Sequence, residues 1–343
     1  MNFRGFARQV TLLLILTCLP IISPTSTYAN TVPTIVIADT AIDSDNPEFS
    51  KNIILELCIL EWAVCPNGQK FMQGKAAAKL PLDYLVNNGF NHGTQMVSAA
   101  VRTNPDLNII FIRMFGNSSS GARLSAGSTT VALVLQWISQ NQVLFNIQAA
   151  AISQGHHNIS SLTNYCPRES MVEGVLTKLS DQGVPVFFPA GNSGDRSRVD
   201  WPACYPSVMT IGALNPDRRI ASYSNIDSNL IDYFEIGTLK VNDANGLERT
   251  STGSSIAAQV AAAKWMQIRS KNLDKTFAET KMIFDSNTHN VSISSTSSGK
   301  AINRDVYDPE DFDASLVELG KLRQAIEELK LLLQIVRLSR ISP

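Results

Sequence analysis

The chain has no excess of charge of either sign. Charged residues make up only 17% of the 343 residues, a low share for a cytosolic protein, and the formal net charge is −1. So small a net charge gives no electrostatic reason to expect binding to nucleic acid or to an acidic membrane surface. The sequence also contains no internal repeat and no glycine-rich nucleotide-binding loop. An apolar fraction of 44% is enough to form a buried core.

An apolar run near the N terminus is the one candidate membrane segment. Residues 10–22 are apolar, Arg4 and Arg8 precede them, and small residues at Thr27-Tyr28-Ala29 follow. This order is typical of a secretory signal peptide, which we place at residues 1–29. The run is shorter than the roughly 20 residues that a membrane-spanning helix needs. We therefore predict a secreted or periplasmic protein, with an N-terminal anchor helix as the alternative.

Cysteine is scarce. Four cysteines follow the predicted signal peptide: Cys58, Cys65, Cys166 and Cys204. An even number in an exported chain suggests disulfides, for which three pairings exist. We favour Cys58–Cys65 with Cys166–Cys204, and the first requires that the intervening chain is not one straight helix, since seven helical residues span about 10.5 Å. The spacings match no usual zinc pattern, so we assign no metal site.

Short apolar runs alternate with longer amphipathic segments. The predicted strands are Thr34–Ala38, Asn108–Met114, Ala149–Ser153, Pro185–Phe188 and Val208–Ile211. The predicted helices are His92–Val101, Thr129–Gln140, Glu169–Asp181 and Ser255–Arg269. Strands that are apolar on both faces and separated by helices indicate an α/β fold, with a doubly wound, mostly parallel sheet and helices on both faces. Ligand sites in such folds lie beyond the carboxyl ends of the strands, where Asp39, Ser153 and Asn192 fall.

The C-terminal part of the chain differs in composition. Residues 291–311 are polar and rich in serine, which predicts a linker after a domain at residues 31–290. Residues 312–340 carry apolar side chains at alternating spacings of three and four, which is typical of an amphipathic or coiled-coil helix. Such a helix either docks on its own domain or mediates self-association, and the pattern favours neither.

One segment carries more chemical information than any other. Gly253-Ser254-Ser255-Ile256-Ala257 places a serine on a tight turn at the start of an alanine-rich helix. The free N–H groups and the positive dipole end of a helix N terminus suit a serine that attacks a carbonyl and then lies beside an oxyanion. Taken alone, Ser255 would be interpreted as a helix cap.

Acyl transfer by serine needs a base, a group that orients the base, and donors for the oxyanion. We predict Ser255 as the nucleophile and His92 as the base. Asp39 would accept the other ring N–H of His92 and fix its tautomer. The side-chain amide of Asn192 and the backbone N–H of Ser255 would hold the oxyanion.

The chain order Asp, His, Asn, Ser resembles that of the subtilisin-like serine proteases, the subtilases. Four segments resemble the family's Asp-Ser/Thr-Gly, His-Gly-Thr, Ala-Gly-Asn and Gly-Thr-Ser-Met-Ala motifs. They are Asp39-Thr40-Ala41, Asn91-His92-Gly93-Thr94, Ala190-Gly191-Asn192 and Gly253-Ser254-Ser255-Ile256-Ala257. The resemblance extends from residue 32 to residue 283, and it implies a serine endopeptidase that forms an acyl-enzyme on a polypeptide substrate.

The resemblance also implies which residues bind substrate. Ser153, Gln154 and Gly155 would pair with the substrate backbone as an added strand, and Ala190 and Gly191 would line the main specificity pocket. A structural calcium ion is a further implication of the family, although the sequence shows no acidic cluster that we can assign to it.

This sequence departs from the family pattern at several positions. Ala41 replaces a glycine, so the turn beside Asp39 must tolerate a Cβ atom. Ser254 and Ile256 replace a threonine and a methionine, which are mild changes. Gln259 replaces a proline in the first turn of the nucleophile helix, which predicts a small shift of that helix. Gln154 replaces a leucine beside the cleft.

Two other functions are compatible with the sequence. A catalytically inactive or latent subtilase-like scaffold would bind a protein partner through the cleft or the C-terminal helix. The family is usually made with an N-terminal propeptide, whereas here the domain begins soon after Ala29, so folding would need none or would use the C-terminal segment. A serine esterase of another fold is disfavoured, because those enzymes usually show Gly-x-Ser-x-Gly and the chain order Ser, Asp, His.

Overall fold

Ten strands form one sheet in the computed structural model, which describes residues 32–155, 166–293 and 298–302. The strands are β1 Thr34–Asp39, β2 Ile53–Ile59, β3 Phe71–Gln73, β4 Asn108–Arg113, β5 Ile147–Ile152, β6 Val186–Pro189, β7 Met209–Leu214, β8 Tyr233–Ile236, β11 Thr288–Ser292 and β12 Ser298–Ile302. A two-stranded ribbon is formed by β9 Thr238–Asn242 and β10 Glu248–Thr252. The helices are α1 Leu82–Asn87, α2 His92–Thr103, α3 Ser128–Asn141, α4 Ser170–Asp181, α5 Ser254–Lys271 and α6 Phe277–Ser286.

The sheet is mostly parallel. Its strand order is β11, β12, β8, β7, β6, β5, β1, β4, β2, β3. All neighbouring pairs from β12 to β2 are parallel, and β11 and β3 pair antiparallel at the two edges. Parallel neighbours need crossover connections, and several of these are helices, as in β5–α4–β6. The carboxyl ends of the parallel strands therefore meet along one edge of the sheet.

Strand β1 shows why the sequence of these strands is apolar without interruption. All six of its residues are buried. Ile35 and Ile37 point into a cluster with residues of α2 and α5, whereas Val36 and Ala38 point into a second cluster with residues of α3 and α4. Both faces of the sheet are thus covered by helices, and the predicted doubly wound α/β fold is confirmed.

Helix α5 is buried on nearly every side. Thirteen of its 18 residues are buried, and it contacts β5, β6, β7 and β8 as well as α2 and α6. Its alanines let the neighbouring elements approach closely, and the one buried cation, Lys264, forms an ion pair of 2.8 Å with Glu235 of β8. A helix with no polar face is typical of a protein core. The surrounding strands and helices therefore hold the N terminus of α5 in place.

The predicted strands and helices are confirmed to within a few residues at each end. Strand β2 was not predicted, because its apolar run is interrupted by Glu56. This carboxylate is buried because it accepts hydrogen bonds from the Ser44 hydroxyl and from the backbone N–H groups of Ala76 and Ala78. A side chain satisfied by residues 12 to 22 positions away leaves no local signal in the sequence.

The predicted linker at residues 291–311 differs from the structure where the structure describes it. Residues 298–302 form β12, which pairs with β11 and adds to the sheet beside β8 through Ala301 and Phe234. Ala301 and Ile302 are fully buried, and these two residues are enough to anchor an otherwise polar strand. The predicted signal peptide at residues 1–29 and the predicted C-terminal helix at residues 312–340 lie outside the described residues. Among the helices that are described, none is long and apolar enough to cross a membrane.

Both predicted disulfides are confirmed. Cys58 pairs with Cys65 across a Cα–Cα distance of 5.8 Å, and Cys166 pairs with Cys204 across 5.9 Å. The short loop can close because Cys58 is the last residue but one of β2 and the chain turns after the strand, so that the two cysteines are not on one helix. The long loop encloses α4, β6 and the segment that contains Asn192.

We expect the two disulfides to contribute unequally to stability. The paired residues are separated by 38 positions in Cys166–Cys204 and by 7 in Cys58–Cys65. Loop entropy then predicts losses in the free energy of unfolding of about 4 and about 2 kcal/mol for the two double Cys→Ala variants. Urea denaturation of both variants beside the wild type measures this difference. Equal losses would contradict a loop-entropy origin.

Candidate active site

The carboxylate of Asp39 and the ring of His92 form a hydrogen-bonded pair. Asp39 is the last residue of β1 and is fully buried, and His92 is the first residue of α2. The Nδ1 atom of His92 lies 2.8 Å from Oδ1 and 2.9 Å from Oδ2 of Asp39. Because a carboxylate can only accept, Nδ1 carries the proton and Nε2 of the neutral ring is left as a base.

The backbone around this pair is held by Thr40 and Gly93. The Thr40 hydroxyl accepts from the backbone N–H of Gly93 at 2.9 Å and donates to the carbonyl of Phe90 at 2.8 Å. A Cβ atom on Gly93 would lie 2.3 Å from the carbonyl oxygen of Ala41. Only glycine therefore lets α2 approach the turn after β1 this closely. That turn accommodates Ala41, which is fully buried.

Opposing effects set the pKa of His92. Burial lowers this pKa, the charge and hydrogen bond of Asp39 raise it, and the charge of Arg123 lowers it. The net result is a pKa above the ordinary value of 6.5. The imidazolium is therefore stabilised by Asp39, as a base that transiently holds a proton requires.

A second set of contacts lies at the start of α5. The side-chain oxygen of Asn192 accepts from the backbone N–H of Ser254 at 2.8 Å and from the Ser254 hydroxyl at 2.9 Å. Because a backbone N–H can only donate, these contacts fix the orientation of the Asn192 amide and leave its Nδ2 group on the other side. The Ser254 hydroxyl also accepts from the backbone N–H of Gly191 at 3.2 Å.

Ser255 is the second residue of α5 and is partly exposed. Gly253, the residue before the helix, lies beside the Asn192 amide, since a Cβ atom on this glycine would be 3.4 Å from Asn192 Nδ2. No hydrogen bond joins the Ser255 hydroxyl to His92 within the residues that the structure describes. The structure thus brings together Asp39 with His92, and Ser254 with Asn192. Among the described residues, the Ser255 hydroxyl has no hydrogen-bond partner.

The residues predicted to bind substrate lie at the ends of β5 and β6. Ser153 follows β5, and its hydroxyl accepts from the Gln259 amide of α5 at 3.1 Å. The Gln154 side chain is buried and donates to the carbonyl of Ala126 at 3.1 Å. Ala190 is fully buried and donates its N–H to the carbonyl of Ile211. Gly191 has a φ of 111°, which favours glycine.

Sequence reasoning missed the positioning roles of several residues. Ser254 was noted only as a mild replacement in a motif, and Gln259 only as a missing proline. Gln259 is fully buried, and its amide connects α5 to the end of β5. Asp200 and Asn225 are buried beside Gly191, where the amide of Asn225 donates to Asp200 at 2.9 Å. The partners in these contacts are 25 to 106 positions apart, so no local pattern could have indicated them.

A metal site cannot be assigned. In the part of the chain that the structure describes, no three His, Cys, Asp or Glu side chains are grouped so that they could hold a metal ion. Calcium often binds to grouped carboxylates, and the described carboxylates form no such group of three. A structural calcium ion therefore stays a prediction from the resemblance, and no step of the chemistry is derived through it.

Comparisons with known proteins identify relatives across most of the chain. A family model described as "Subtilase family" matches residues 31–305. Alkaline elastase YaB from Bacillus sp. (strain YaB) is 22% identical over 223 residues, which cover 64% of this chain and 55% of the relative. Subtilisin NAT from Bacillus subtilis subsp. natto is 26% identical over 198 residues, 57% of this chain and 49% of the relative. The chain therefore spans about half the length of these curated relatives.

Solved structures of two proteases have a fold similar to that of this chain. A cold adapted subtilisin-like serine proteinase superposes with a TM-score of 0.58 at 21% identity, covering 79% of this chain and 88% of the other. The nisin leader peptidase from Lactococcus lactis superposes with a TM-score of 0.59 at 14% identity, covering 80% and 86%. At such identities the likeness shows a shared fold.

We predict that the pKa of His92 is raised by Asp39 and falls when the Asp39 carboxylate is removed. In Ser255→Ala protein, we expect NMR to give His92 a pKa above 6.5. Asp39→Asn in the same background should move that pKa below 6.5, because burial and Arg123 then act without the opposing charge. Asp217→Asn removes an exposed carboxylate that is paired with Arg219 and serves as the matched control. A His92 pKa that does not respond to Asp39→Asn would contradict the assigned cause.

Proposed function

The chain belongs to the subtilase family, and from that premise we propose that it is a serine endopeptidase with Asp39, His92 and Ser255 as its triad. The observation that carries the proposal is the Asp39–His92 pair, which leaves Nε2 of a neutral imidazole as a base at the same edge of the sheet as the start of α5. We assign the oxyanion to the Asn192 amide and the backbone N–H of Ser255.

The proposed reaction follows from these roles. The Ser255 hydroxyl attacks the scissile carbonyl while Nε2 of His92 takes its proton, and the tetrahedral intermediate places its negative oxygen between the donors. His92 then gives the proton to the leaving amine, and an acyl-enzyme forms on Ser255. Water activated by His92 hydrolyses that ester in the second half of the reaction. Asp39 keeps its charge throughout and stabilises the imidazolium.

The N terminus of α5 supports this assignment of the oxyanion. Its first N–H groups have no partner within the helix, and its dipole is positive at this end. The Ser254 contacts hold the carbonyl oxygen of the Asn192 amide, so that the amide presents its Nδ2 donors away from Ser254. A donor that is fixed before the reaction costs no reorganisation when the charge develops.

The proposed substrate is a polypeptide that lies as an added strand along residues 153–155. We propose that residues 153–155 and the segment Ala190–Gly191 line the cleft, since these segments follow the neighbouring parallel strands β5 and β6.

A secreted or periplasmic location is part of the proposal, and the two disulfides support it because such bonds persist in oxidising compartments. Self-association through residues 312–340 stays a prediction.

A latent or inactive scaffold is the second candidate. The observation that favours it is the Ser255 hydroxyl, which makes no hydrogen bond to His92 among the described residues. Catalytic hydrogen bonds are often long in the absence of substrate and tighten only in the complex, so the endopeptidase stays our first proposal.

We predict that a fluorophosphonate probe labels the mature protein at Ser255. The probe reacts only with a serine whose proton is taken by a base, so Ser255→Ala should abolish labelling and peptide cleavage. Ser270→Ala is the matched control, because Ser270 lies exposed at the other end of the same helix. The measurement is in-gel fluorescence, with circular dichroism to show that each protein is folded. A folded wild type that is not labelled would favour the inactive scaffold.

We predict that Asn192→Ala lowers kcat by about 100- to 1,000-fold with little change in KM. The lost donor acts on the oxyanion of the transition state and not on the substrate. Steady-state kinetics on one peptide substrate give both constants, and Asn245→Ala, in an exposed turn between β9 and β10, is the control. A large rise in KM at unchanged kcat would instead indicate that Asn192 binds the ground state.

A further inference from the structure

Strand β4 and the loop after it carry two arginines that form no ion pair with a carboxylate among the described residues. The first, Arg113, ends β4 and is 1% exposed. Its Nε donates to the carbonyl of Phe115 at 3.1 Å, and its Nη2 donates to the side-chain oxygen of Asn117 at 2.9 Å. Its guanidinium also lies 5.7 Å from the centre of the Phe90 ring. All of these partners are neutral, so they leave the positive charge of Arg113 in place.

The second arginine, Arg123, is exposed on the same loop. Its guanidinium lies 5.8 Å from the centre of the Phe115 ring, and its Nη1 donates to the carbonyl of Gly89 at 3.2 Å. Gly89 comes shortly before His92 in the chain, and the charge of Arg123 lowers the pKa of His92. A guanidinium has several N–H donors, and the bond to Gly89 uses only one of them. Arg123 therefore has donors left for a ligand that lies near the proposed base.

The other end of this loop borders the segment that we assign to the substrate. The backbone N–H of Leu124 donates to the carbonyl of Gly116 at 2.8 Å, which closes the loop on itself. The Gln154 side chain donates to the carbonyl of Ala126 at 3.1 Å, and Gln154 is the middle residue of the proposed substrate segment. The loop thus connects the surroundings of His92 to that segment, and Arg123 lies at the border of the proposed cleft.

The order of the strands indicates which substrate residue meets Arg123. Strand β5, which the substrate segment follows, lies between β6 and β1, and β4 lies beyond β1. The proposed specificity pocket at Ala190–Gly191 follows β6, so the residue that supplies the scissile carbonyl sends its side chain to that side. Successive side chains of an extended strand point to opposite sides. The preceding substrate residue therefore sends its side chain toward His92 and the loop that carries Arg123.

We propose that Arg123 makes this protein selective for aspartate or glutamate at the second residue on the N-terminal side of the cleaved bond. The inference rests on the proposed endopeptidase function and names its substrate class. A carboxylate can accept charge-assisted hydrogen bonds from a guanidinium, and these are stronger than neutral ones. Lysine or arginine at that position would meet the like charges of Arg123 and Arg113, so repulsion adds to the selectivity. Because Arg123 is exposed, salt weakens both effects.

The test compares peptides that differ only in charge at that residue. Two sets of acetyl-Ala-Ala-Xaa-Zaa p-nitroanilides carry glutamate or glutamine at Xaa and an equal mixture of alanine, leucine, phenylalanine and lysine at Zaa. The mixture makes the comparison independent of the preferred residue at the cleaved bond. At pH 8 and low salt, we expect kcat/KM of the wild type to be about fivefold higher for the glutamate set.

Three variants assign this preference to its cause. Arg123→Gln removes the charge and should bring the ratio to about one, whereas Arg123→Lys keeps the charge and should keep a preference for glutamate. Arg219→Gln is the matched control, because Arg219 is exposed and paired with Asp217, and it should keep the wild-type ratio. Each ratio compares two peptides on one enzyme, so a change in the pKa of His92 cancels.

Each outcome decides the proposal. Equal cleavage of the two sets by the wild type, or a preference that Arg123→Gln leaves unchanged, would overturn the role of Arg123 and leave the endopeptidase function intact. Cleavage of neither set would overturn the inference, and labelling by the fluorophosphonate would then show whether the proposed function falls with it. If Arg123→Gln does not fold, salt tests the wild type alone: a preference for glutamate that persists in about 1 M NaCl would contradict an exposed charge as its cause.

Discussion

The whole arrangement depends on keeping a carboxylate charged inside the protein. Asp39 ends the central strand with no exposed surface, and a buried charge is costly unless hydrogen bonds replace its hydration. The Nδ1 group of His92 and the N–H of Thr40 supply those bonds. The first turn of α2 must therefore lie against the turn after β1, and the close contact between Gly93 and Ala41 follows from this requirement. The histidine is held as a base by the same bonds that stabilise the aspartate.

The second half of the site lies at the start of α5. Helix α5 is buried along its length, and its first turn is tied to neighbouring loops by hydrogen bonds from Ser254 to Asn192 and from Gln259 to Ser153. A serine on a rigid, buried helix has little freedom to adjust to a base. Its placement is therefore decided by core packing around residues such as Trp265, far from any group that reacts.

Buried charges recur in this fold, and each has a dedicated partner. Glu235 pairs with Lys264, Glu56 accepts two backbone N–H groups, and Asp39 accepts from His92. Asp200 likewise accepts from Asn225. A buried charge needs such a partner because hydrogen bonds must replace the hydration that it has lost.

Local patterns in the sequence were sufficient to predict much of the fold of this protein. Apolar runs of strand length and amphipathic segments between them determined the parallel sheet and its main helices, because side-chain burial follows the period of each element. The even cysteine count indicated disulfides but left three pairings, and the order of four short motifs indicated the candidate triad. The Thr276–Glu279 capping box at the start of α6 is also a local pattern. Only the tertiary structure decided that Asn225 faces Asp200, that Gln259 reaches Ser153, and that polar residues 298–302 complete the sheet. Hydrogen bonds and strand pairings between distant segments depend on how the packed elements meet in space, and that geometry leaves no periodic trace along the chain.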